Sequence, residues 1–510
     1  MYERSKSKAN TGMWVTLVLA SVLVPSLAAV NAFVGMYAAL PYVALAAAVL
    51  IFVLPLNVLV LLCFVSASVV AGLLEYFAGI SQAFWLPYLM GLLFGLRALF
   101  ESFRAAPYAR GTKDRSVSRP RVHVTLVFAA VFLCVVAFGT AVAAPPLPQL
   151  VVAVKNYLFL WGLLFVLLKS PWRMEHAGQL WTAVIVVVVA QIPVVLYQRF
   201  VVAARRHDAA AWDAVVGTFG GSPTGGGQSA AMALTCCLAI AVLLWRHRER
   251  RIGAAQAVVL ALFCLAPIGL AEVKAAFIWL AVVFGLFVSG QFIREPVRAT
   301  IALIFGVVLL GGLGLIYKSS MYEGGGSGGT SLADIYDKQI KYAVDPYEYR
   351  ADFGRLGRVA ALVYWSERHS LASDPLRMLV GHGAGASRSS SSFGAGEVAR
   401  TLPIQVDISA ASTLLWDTGL LGAISFTAML IAGAWSGLRQ SMRTDLSPAL
   451  RETSFLSSAL LAMTALGMLY NRDPIDTPVV QMLIFFSLAQ VLLARRALFV
   501  GANAAPSLAR

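Results

Sequence analysis

Residues 37–74 form one unbroken apolar stretch, and this stretch decides the fold class. It reads YAALPYVALAAAVLIFVLPLNVLVLLCFVSASVVAGLL and contains no Asp, Glu, Lys or Arg. A membrane helix rises about 1.5 Å per residue and crosses a hydrocarbon core of about 30 Å. Because the stretch is too long for one crossing, it predicts two membrane helices, with Pro55 at the turn between them.

The rest of the chain repeats this apolar pattern. Of its 510 residues, 59% are hydrophobic and only 13% are charged, whereas about 25% charged residues is usual in a soluble domain. We therefore predict an all-α polytopic membrane protein with fourteen transmembrane helices. The predicted spans are 12–32, 36–53, 56–75, 82–99, 122–143, 149–169, 179–198, 227–245, 252–270, 272–290, 299–317, 412–434, 454–471 and 478–496.

The basic residues predict the orientation of these spans. Lys and Arg accumulate in the cytoplasmic loops of membrane proteins, and here they gather in alternate short loops when the N-terminus is placed inside. Those loops are Arg97–Arg121, Lys169–Arg173, Arg246–Arg251, Arg294–Arg298, Arg439–Arg451 and Arg495–Arg496. The N- and C-termini are therefore expected in the cytoplasm. This topology accounts for the net charge of +15 without a nucleic-acid partner.

One long polar loop, residues 318–410, divides the chain. It separates a first group of eleven predicted spans, residues 1–317, from a last group of three with a tail, residues 411–510. From Lys318 to Asp407 it carries ten Lys and Arg against ten Asp and Glu. We interpret it as a folded, outward-facing module with short helices, including an amphipathic helix over 349–370. Loops of this kind commonly carry recognition or chemistry.

Two groups of charged residues lie at outer span ends. Glu272 and Lys274 occupy a very short link between spans, where ionisable groups are costly and often functional. The alternative is an ion pair between Glu272 and Lys274 that closes a tight hairpin, with Lys274 reaching toward the interface. Arg199, Arg205 and Arg206 lie in a second outer loop. They suit either a phosphate-bearing ligand or simple contact with lipid headgroups.

A glycine-rich run follows in the long loop, Gly381-His382-Gly383-Ala384-Gly385. Its backbone N–H groups can approach an oxyanion closely, and His382 is either an acid–base group or a structural histidine. The loop then returns to the membrane at Asp407 and through Asp417–Gly422, where two glycines favour close helix packing. The sequence has no phosphate-binding P-loop motif and no metal-ligand spacing, so no cofactor and no metal are expected.

The order of these parts resembles the O-antigen ligase/polymerase superfamily, which includes the Wzy-type exopolysaccharide polymerases. The resemblance covers roughly residues 120–495. The features that carry it are Tyr197-Gln198-Arg199, Gly217-Thr218-Phe219-Gly220, the Glu272/Lys274 hairpin, the large outer loop, the glycine-rich run and Asp417-Thr418-Gly419-Leu420-Leu421-Gly422. Lys274 stands where ligase-like members have Arg, and Asp407-Ile408-Ser409 stands where O-antigen ligases have a His–Asn pair, which favours a polymerase.

The resemblance implies metal-independent, inverting glycosyl transfer at the outer face of the bacterial cytoplasmic (inner) membrane. The donor would be an undecaprenyl-diphosphate-linked oligosaccharide, with diphosphate as leaving group, among membrane lipids and alongside a possible chain-length regulator protein. Asp407, His382 and Glu272 are the candidate bases for the acceptor hydroxyl. The expected substrate-binding residues are Arg199, Arg205, Arg206, Lys274, Arg355 and Arg358.

Two other functions stay open at this stage. A ligase would join finished glycan to another lipid or protein acceptor. A flippase or other transporter of lipid-linked oligosaccharide can also have fourteen spans, but transporters usually show repeated halves and charges near the membrane midplane. Here the charges that the pattern singles out lie at the outer edge, and no strong repeat is evident.

Overall fold

A computed structural model describes residues 51–109, 122–170, 172–206, 211–289, 341–350, 354–389 and 394–504, together with residues 49, 297, 300 and 304. Within these ranges, eight helices are long and apolar enough to cross a membrane. They are Leu56–Ala78, Ser81–Phe103, Val124–Ala143, Leu147–Lys169, Glu175–Arg205, Ser229–Arg248, Ala410–Ser441 and Pro478–Leu498. The class of all-α, multi-pass membrane protein is therefore confirmed.

Three further helices lie at predicted spans, but they do not reach the length or the hydropathy of these eight. Ala254–Leu270 and Ala275–Ser289 are apolar but shorter, and Pro448–Gly467 follows as a helix with more Ser and Thr. The predicted spans 12–32 and 299–317, and nearly all of 36–53, lie outside the described residues. The total of fourteen spans thus remains a prediction.

We number the elements along the chain. The helices are α1 Leu56–Val65, α2 Ala71–Ala78, α3 Trp85–Ala109, α4 Val124–Ala143, α5 Leu147–Val154, α6 Trp161–Lys169, α7 Glu175–Tyr197, α8 Ser229–Arg248, α9 Ala254–Leu270, α10 Ala275–Ser289, α11 Arg358–Arg368, α12 Pro375–Val380, α13 Glu397–Thr401, α14 Ala410–Ser441, α15 Pro448–Gly467, α16 Asp473–Asp476 and α17 Pro478–Ala504. The strands are β1 Tyr349–Arg350 and β2 Arg355–Leu356.

Several membrane helices are interrupted by short segments of π-helix. One joins α1 to α2 at Ser66–Val70, and one follows α7 at Gln198–Val202. A third, Lys155–Phe159, lies between α5 and α6. Such segments occur often at functional sites because the extra residue in the turn redirects side chains. The third one places Lys155 and Asn156 within an otherwise apolar span.

The core of the described bundle is built from aromatic rings and close glycine contacts. Phe132 of α4 packs on Phe426 of α14 with ring centroids 5.0 Å apart, and Trp161 of α6 packs on Phe485 of α17 at 4.6 Å. A side chain at Gly162 would overlap the carbonyl oxygen of Gly91, because α6 crosses α3 at this point. Small residues of this kind allow membrane helices to approach closely.

The amphipathic helix predicted over 349–370 is shorter than expected. Tyr349–Arg350 and Arg355–Leu356 instead form a small antiparallel pair, and helix α11 begins only at Arg358. Gly354 has a φ of +58°, a conformation that a helix cannot contain. The apolar residues with helical spacing lie on both sides of this glycine. The predicted helix was therefore too long at its N-terminal end.

Helix α14 contains a sharp break at Gly419, which has φ 63° and ψ −169°. A Cβ atom there would lie 2.5 Å from the carbonyl carbon of Leu379 in the long loop. Gly419 thus provides the predicted close approach, but toward the loop and not toward a neighbouring membrane helix. The nearest atoms to a Cβ at Gly422 belong to Thr418 of the same helix, and close packing of another helix at Gly422 stays a prediction.

The described segments meet at two chemically different ends. At one end Glu452 forms ion pairs with Arg246 and Arg251, and Arg496 donates to the carbonyl of Leu168 at 3.0 Å. These are segments for which the sequence predicts a cytoplasmic position. The segments with predicted outer positions, including the long loop, meet at the other end, where the candidate site lies.

Candidate functional site

The glycine-rich run binds a carboxylate that belongs to the protein itself. Asp417, which is buried in α14, accepts the backbone N–H of Gly385 at 2.7 Å on Oδ2 and that of Ser387 at 2.8 Å on Oδ1. The hydroxyl of Tyr157 donates to the same Oδ2 at 2.9 Å. The predicted oxyanion contact therefore exists, but these N–H groups fix the loop to the membrane helices.

This attachment places the next loop residues in a group of charges that we name the basic cluster: Lys155, Arg388, Arg472, Asp407 and Asp476. Arg388 pairs with Asp476 at 2.9 Å. Arg472 pairs with Asp407 and reaches Asp476 at 3.5 Å. Two arginines are thus held by two carboxylates, and Lys155 adds a third cation nearby.

Residues of the third π-helical segment support the cluster from the membrane side. The ammonium of Lys155 lies 4.7 Å from the ring centroid of Trp85 and 4.9 Å from that of Tyr88, as in cation–π contacts. With its amide oxygen turned toward the guanidinium, Asn156 accepts from Nη2 of Arg388 at 3.1 Å. An ionisable residue inside a membrane span is commonly functional.

On the loop side of the basic cluster, burial and neighbouring charges shift the pKa values of Arg388 and Asp473. Burial acts to lower the pKa of Arg388, but the Asp476 carboxylate and other nearby acidic groups outweigh it, and the pKa is raised. Arg388 is therefore a permanent cation. Asp473 lies beside Asp476, and burial raises the pKa of Asp473 to about 6 although Thr477 and Asn471 donate hydrogen bonds to it.

An apolar groove of about 390 Å³ lies between α4 and the α5–α6 span. Its lining includes Thr140, Leu150, Val154, Tyr157 and Ala384. Tyr157 and Ala384 belong to the same constellation, because the first binds Asp417 and the second lies in the glycine-rich run. The groove could hold a hydrocarbon chain whose polar end lies near the cations.

His382 is paired with a second histidine that the sequence did not reveal. The Nε2 atoms of His382 and His369 are 2.9 Å apart, and Nδ1 of His369 lies 2.9 Å from the carbonyl oxygen of Trp365. Since a carbonyl only accepts, Nδ1 of His369 carries a proton. Burial is the main cause that lowers the pKa of His382 to about 4, and the nearby His369 and Arg377 act in the same direction. His382 is therefore neutral at pH 7.

The candidates at the outer span ends form a separate group. Arg199 and Glu272 make an ion pair of 2.9 Å in which the Glu272 side chain is 3% exposed. Lys274 lies close enough to act electrostatically on Glu272. The hairpin therefore contains an ion pair, but the partner of Glu272 in it is Arg199, whereas the alternative predicted a pair of Glu272 with Lys274.

The remaining cations of the second outer loop point to different surroundings. Arg205 is exposed at the end of a short 3₁₀ turn. Arg206 lies against Gly225, where a Cβ atom would come within 2.6 Å of its Nη1, and it acts electrostatically on Tyr76. The described contacts therefore differ among Arg199, Arg205 and Arg206.

The two loop arginines also differ from each other. Arg355 is exposed in β2. Arg358 donates to the carbonyl of Tyr470 at 2.9 Å, and its guanidinium lies 4.2 Å from the Tyr470 ring centroid. Arg358 therefore joins helix α11 to the end of α15.

Sequence reasoning missed Lys155, Arg388, Arg472 and Asp476. Lys155 carried a usable signal, because it is an ionisable residue within an apolar span. Arg388 lies in a serine-rich loop and Arg472 in a short link between spans, so their charge alone did not distinguish them. Among the residues that the structure describes, no group of three His, Cys, Asp or Glu is arranged to hold a metal ion.

Comparison of the chain with known protein families and with curated proteins finds no match. The function must therefore be argued from the basic cluster and its surroundings.

Proposed function

We propose that the protein polymerises polysaccharide repeat units carried on undecaprenyl diphosphate, at the outer face of the cytoplasmic membrane. The observation that carries the proposal is the basic cluster together with an apolar groove of about 390 Å³, which are linked by Tyr157: it lines the groove and belongs to the same π-helical segment as Lys155 and Asn156. A lipid-linked diphosphate donor has these two parts, an apolar tail and a compact anion, and needs both kinds of surface next to each other.

The cations suit a diphosphate leaving group. Guanidinium groups bind phosphate oxygens in bidentate geometry, and Arg388 and Arg472 lie on one shared carboxylate, Asp476. Lys155 supplies a point charge from the membrane side. Fixed cations of this kind stabilise the negative charge that develops as the bond to the sugar breaks. The protein then needs no metal for this step.

The predicted topology supports an outer site. Arg388 lies in the loop predicted outside, and Arg472 lies between the spans predicted at 454–471 and 478–496, also outside. The described contacts join these segments directly through Asp476. Donor molecules presented on the outer face of the membrane would therefore reach the cluster.

The product of the purified protein tests this proposal. The protein in lipid nanodiscs is given a defined undecaprenyl-diphosphate repeat unit, and the glycans are separated by size. A ladder of lengthening glycans supports the polymerase. A single transfer to a different acceptor would instead indicate a ligase. In a parallel experiment with the protein in closed proteoliposomes, transport of the donor without glycosyl transfer would indicate a transporter. Either of these two outcomes contradicts the polymerase.

Matched arginine variants test the site. In Arg388→Ala the donor loses a charge-assisted contact worth about 1.5–3 kcal/mol, so we expect donor binding to weaken by about ten- to hundredfold. Arg377→Ala is the control, because Arg377 is on the same loop but is 59% exposed and pairs with the partly exposed Asp374, outside the basic cluster. Equal donor binding in the two variants would exclude the basic cluster as the diphosphate site.

A further inference from the structure

Only one of the two carboxylate oxygens of Asp407 accepts hydrogen bonds from the described residues. Its Oδ2 accepts from the backbone N–H of Ser389 at 3.1 Å, from the hydroxyl of Ser389 at 3.0 Å and from Nη1 of Arg472. Its Oδ1 is buried and has no hydrogen-bond partner among the described residues. An unsatisfied buried polar atom costs about 1–3 kcal/mol or more if charged, which marks this oxygen for a functional role.

A neighbouring carboxylate shows that this arrangement is not general for the region. Asp473 is also buried, but Asn471 donates to its Oδ2 and Thr477 donates to its Oδ1 at 2.9 Å. Both oxygens of Asp473 are therefore satisfied within the protein. The side chain of Asp407 is 0% exposed, so its Oδ1 combines deep burial with an open acceptor position.

Arg472 controls how basic Asp407 can be. A cation in contact with a carboxylate favours its charged form and so lowers its affinity for a proton. The guanidinium of Arg472 forms ion pairs with both Asp407 and Asp476. A diphosphate at the cluster offers competing oxygens of the geometry that arginine prefers. Donor binding would draw Arg472 from Asp407 and make this carboxylate a better base.

We propose that Asp407 takes the proton from the acceptor hydroxyl, and that Arg472 restrains it until the donor diphosphate is bound. This inference rests on the proposed function. The hydroxyl proton passes to Oδ1 of Asp407 while the hydroxyl oxygen forms a bond to the anomeric carbon. The bond from that carbon to the diphosphate oxygen breaks, and its electron pair leaves with the diphosphate. Arg388, Arg472 and Lys155 then hold the added negative charge.

The charged groups around Asp407 come from two parts of the chain. Arg472 and its second partner Asp476 belong to the link that contains α16, and Arg388 comes from the loop. Ser389 acts as a positioning residue, since it touches Asp407 through both its N–H and its hydroxyl.

The test compares donor binding with turnover in nanodisc-embedded full-length protein. The donor is the same undecaprenyl-diphosphate repeat unit. For Asp407→Asn we expect donor affinity within about threefold of wild type and turnover reduced at least about 100-fold, the usual contribution of a positioned base. Asp473→Asn is the matched control and should retain turnover per folded molecule. Turnover of Asp407→Asn within tenfold of wild type, with donor bound, would overturn the inference.

Ser389→Ala covers the case in which Asp407→Asn does not fold. This variant keeps the carboxylate but removes one of its orienting donors, so kcat should fall about tenfold while KM stays unchanged, as expected when only a transition-state interaction is lost. It should also shift the acid limb of the pH dependence of kcat. An unchanged kcat and pH dependence would contradict the role of Asp407. If wild-type protein neither binds donor nor forms product, the proposed function itself is wrong.

Discussion

The buried carboxylate of Asp417 accepts the backbone N–H of Gly385 at 2.7 Å, and this contact joins the long outer loop to membrane helix α14. Ser387 and Tyr157 complete the set of donors on Asp417. Asp417 precedes the break at Gly419 by only two residues. The loop is therefore positioned by the same part of the helix that departs from regular geometry, and Arg388 follows directly after these contacts.

Removing one acceptor at this joint should loosen the loop. In Asp417→Asn an amide N–H₂ replaces a carboxylate oxygen and faces donors, so we expect a loss of about 1–3 kcal/mol. Hydrogen exchange of the amides in 381–389 should accelerate, and Tm in detergent should fall. Tyr157→Phe is the control, since it removes one donor and should cost about 1 kcal/mol. Unchanged protection of 381–389 in Asp417→Asn would contradict this role.

The glycine at the break should not tolerate a side chain. Gly419→Ala would place a Cβ on a backbone with φ 63° and ψ −169°, a region that is essentially restricted to glycine and costs other residues about 1–3 kcal/mol. The Cβ would also lie 2.5 Å from the backbone of Leu379. We expect a lower Tm and faster proteolysis of the loop. Gly285→Ala is the matched control, because no atom lies within 4 Å of a Cβ there and alanine favours helix. A Gly419→Ala protein as stable as Gly285→Ala would exclude a tight joint.

The membrane helices were predictable because hydropathy is a local property. A span such as 122–143 is apolar along its whole length, and the structure has a helix at Val124–Ala143. The tight turn at Glu272 was also predictable, since two apolar runs there leave only a few residues between them. Positive φ at Glu272 adds a strained backbone that sequence spacing does not report.

The site was less predictable because its contacts connect distant segments. Tyr157 and Asp417 are 260 positions apart, and Asp407 and Arg472 are 65 apart. Sequence alone identified Asp407 and Glu272 as carboxylates of interest but did not identify their partners. Those partners change the interpretation, since Glu272 is engaged by Arg199 on one oxygen, whereas Asp407 lies among several cations.

The Arg199–Glu272 pair should show coupling between its two partners. Removing one partner of a buried ion pair costs about 3–5 kcal/mol, because the other charge is left unpaired. Arg199 is 28% exposed, so we expect the lower end of this range for Arg199→Ala. The double variant Arg199→Ala with Glu272→Ala should be more stable than Arg199→Ala alone. Thermal unfolding of Arg199→Ala, of Glu272→Ala and of the double variant measures the coupling, and strictly additive changes would contradict it.

The His369–His382 contact should make stability depend on pH in a defined direction. Burial lowers the pKa of His382 from 6.5 to about 4, so the unfolded chain binds a proton more readily than the folded protein. The contribution of neutral His382 to the free energy of unfolding is complete above about pH 6.5 and is lost as the pH falls toward 4. Tm of wild type should therefore decrease over this range by more than Tm of His382→Gln, which cannot take up this proton. His247→Gln, at an exposed position, is the control and should follow wild type. A parallel decrease in wild type and His382→Gln would show that this pair is not responsible.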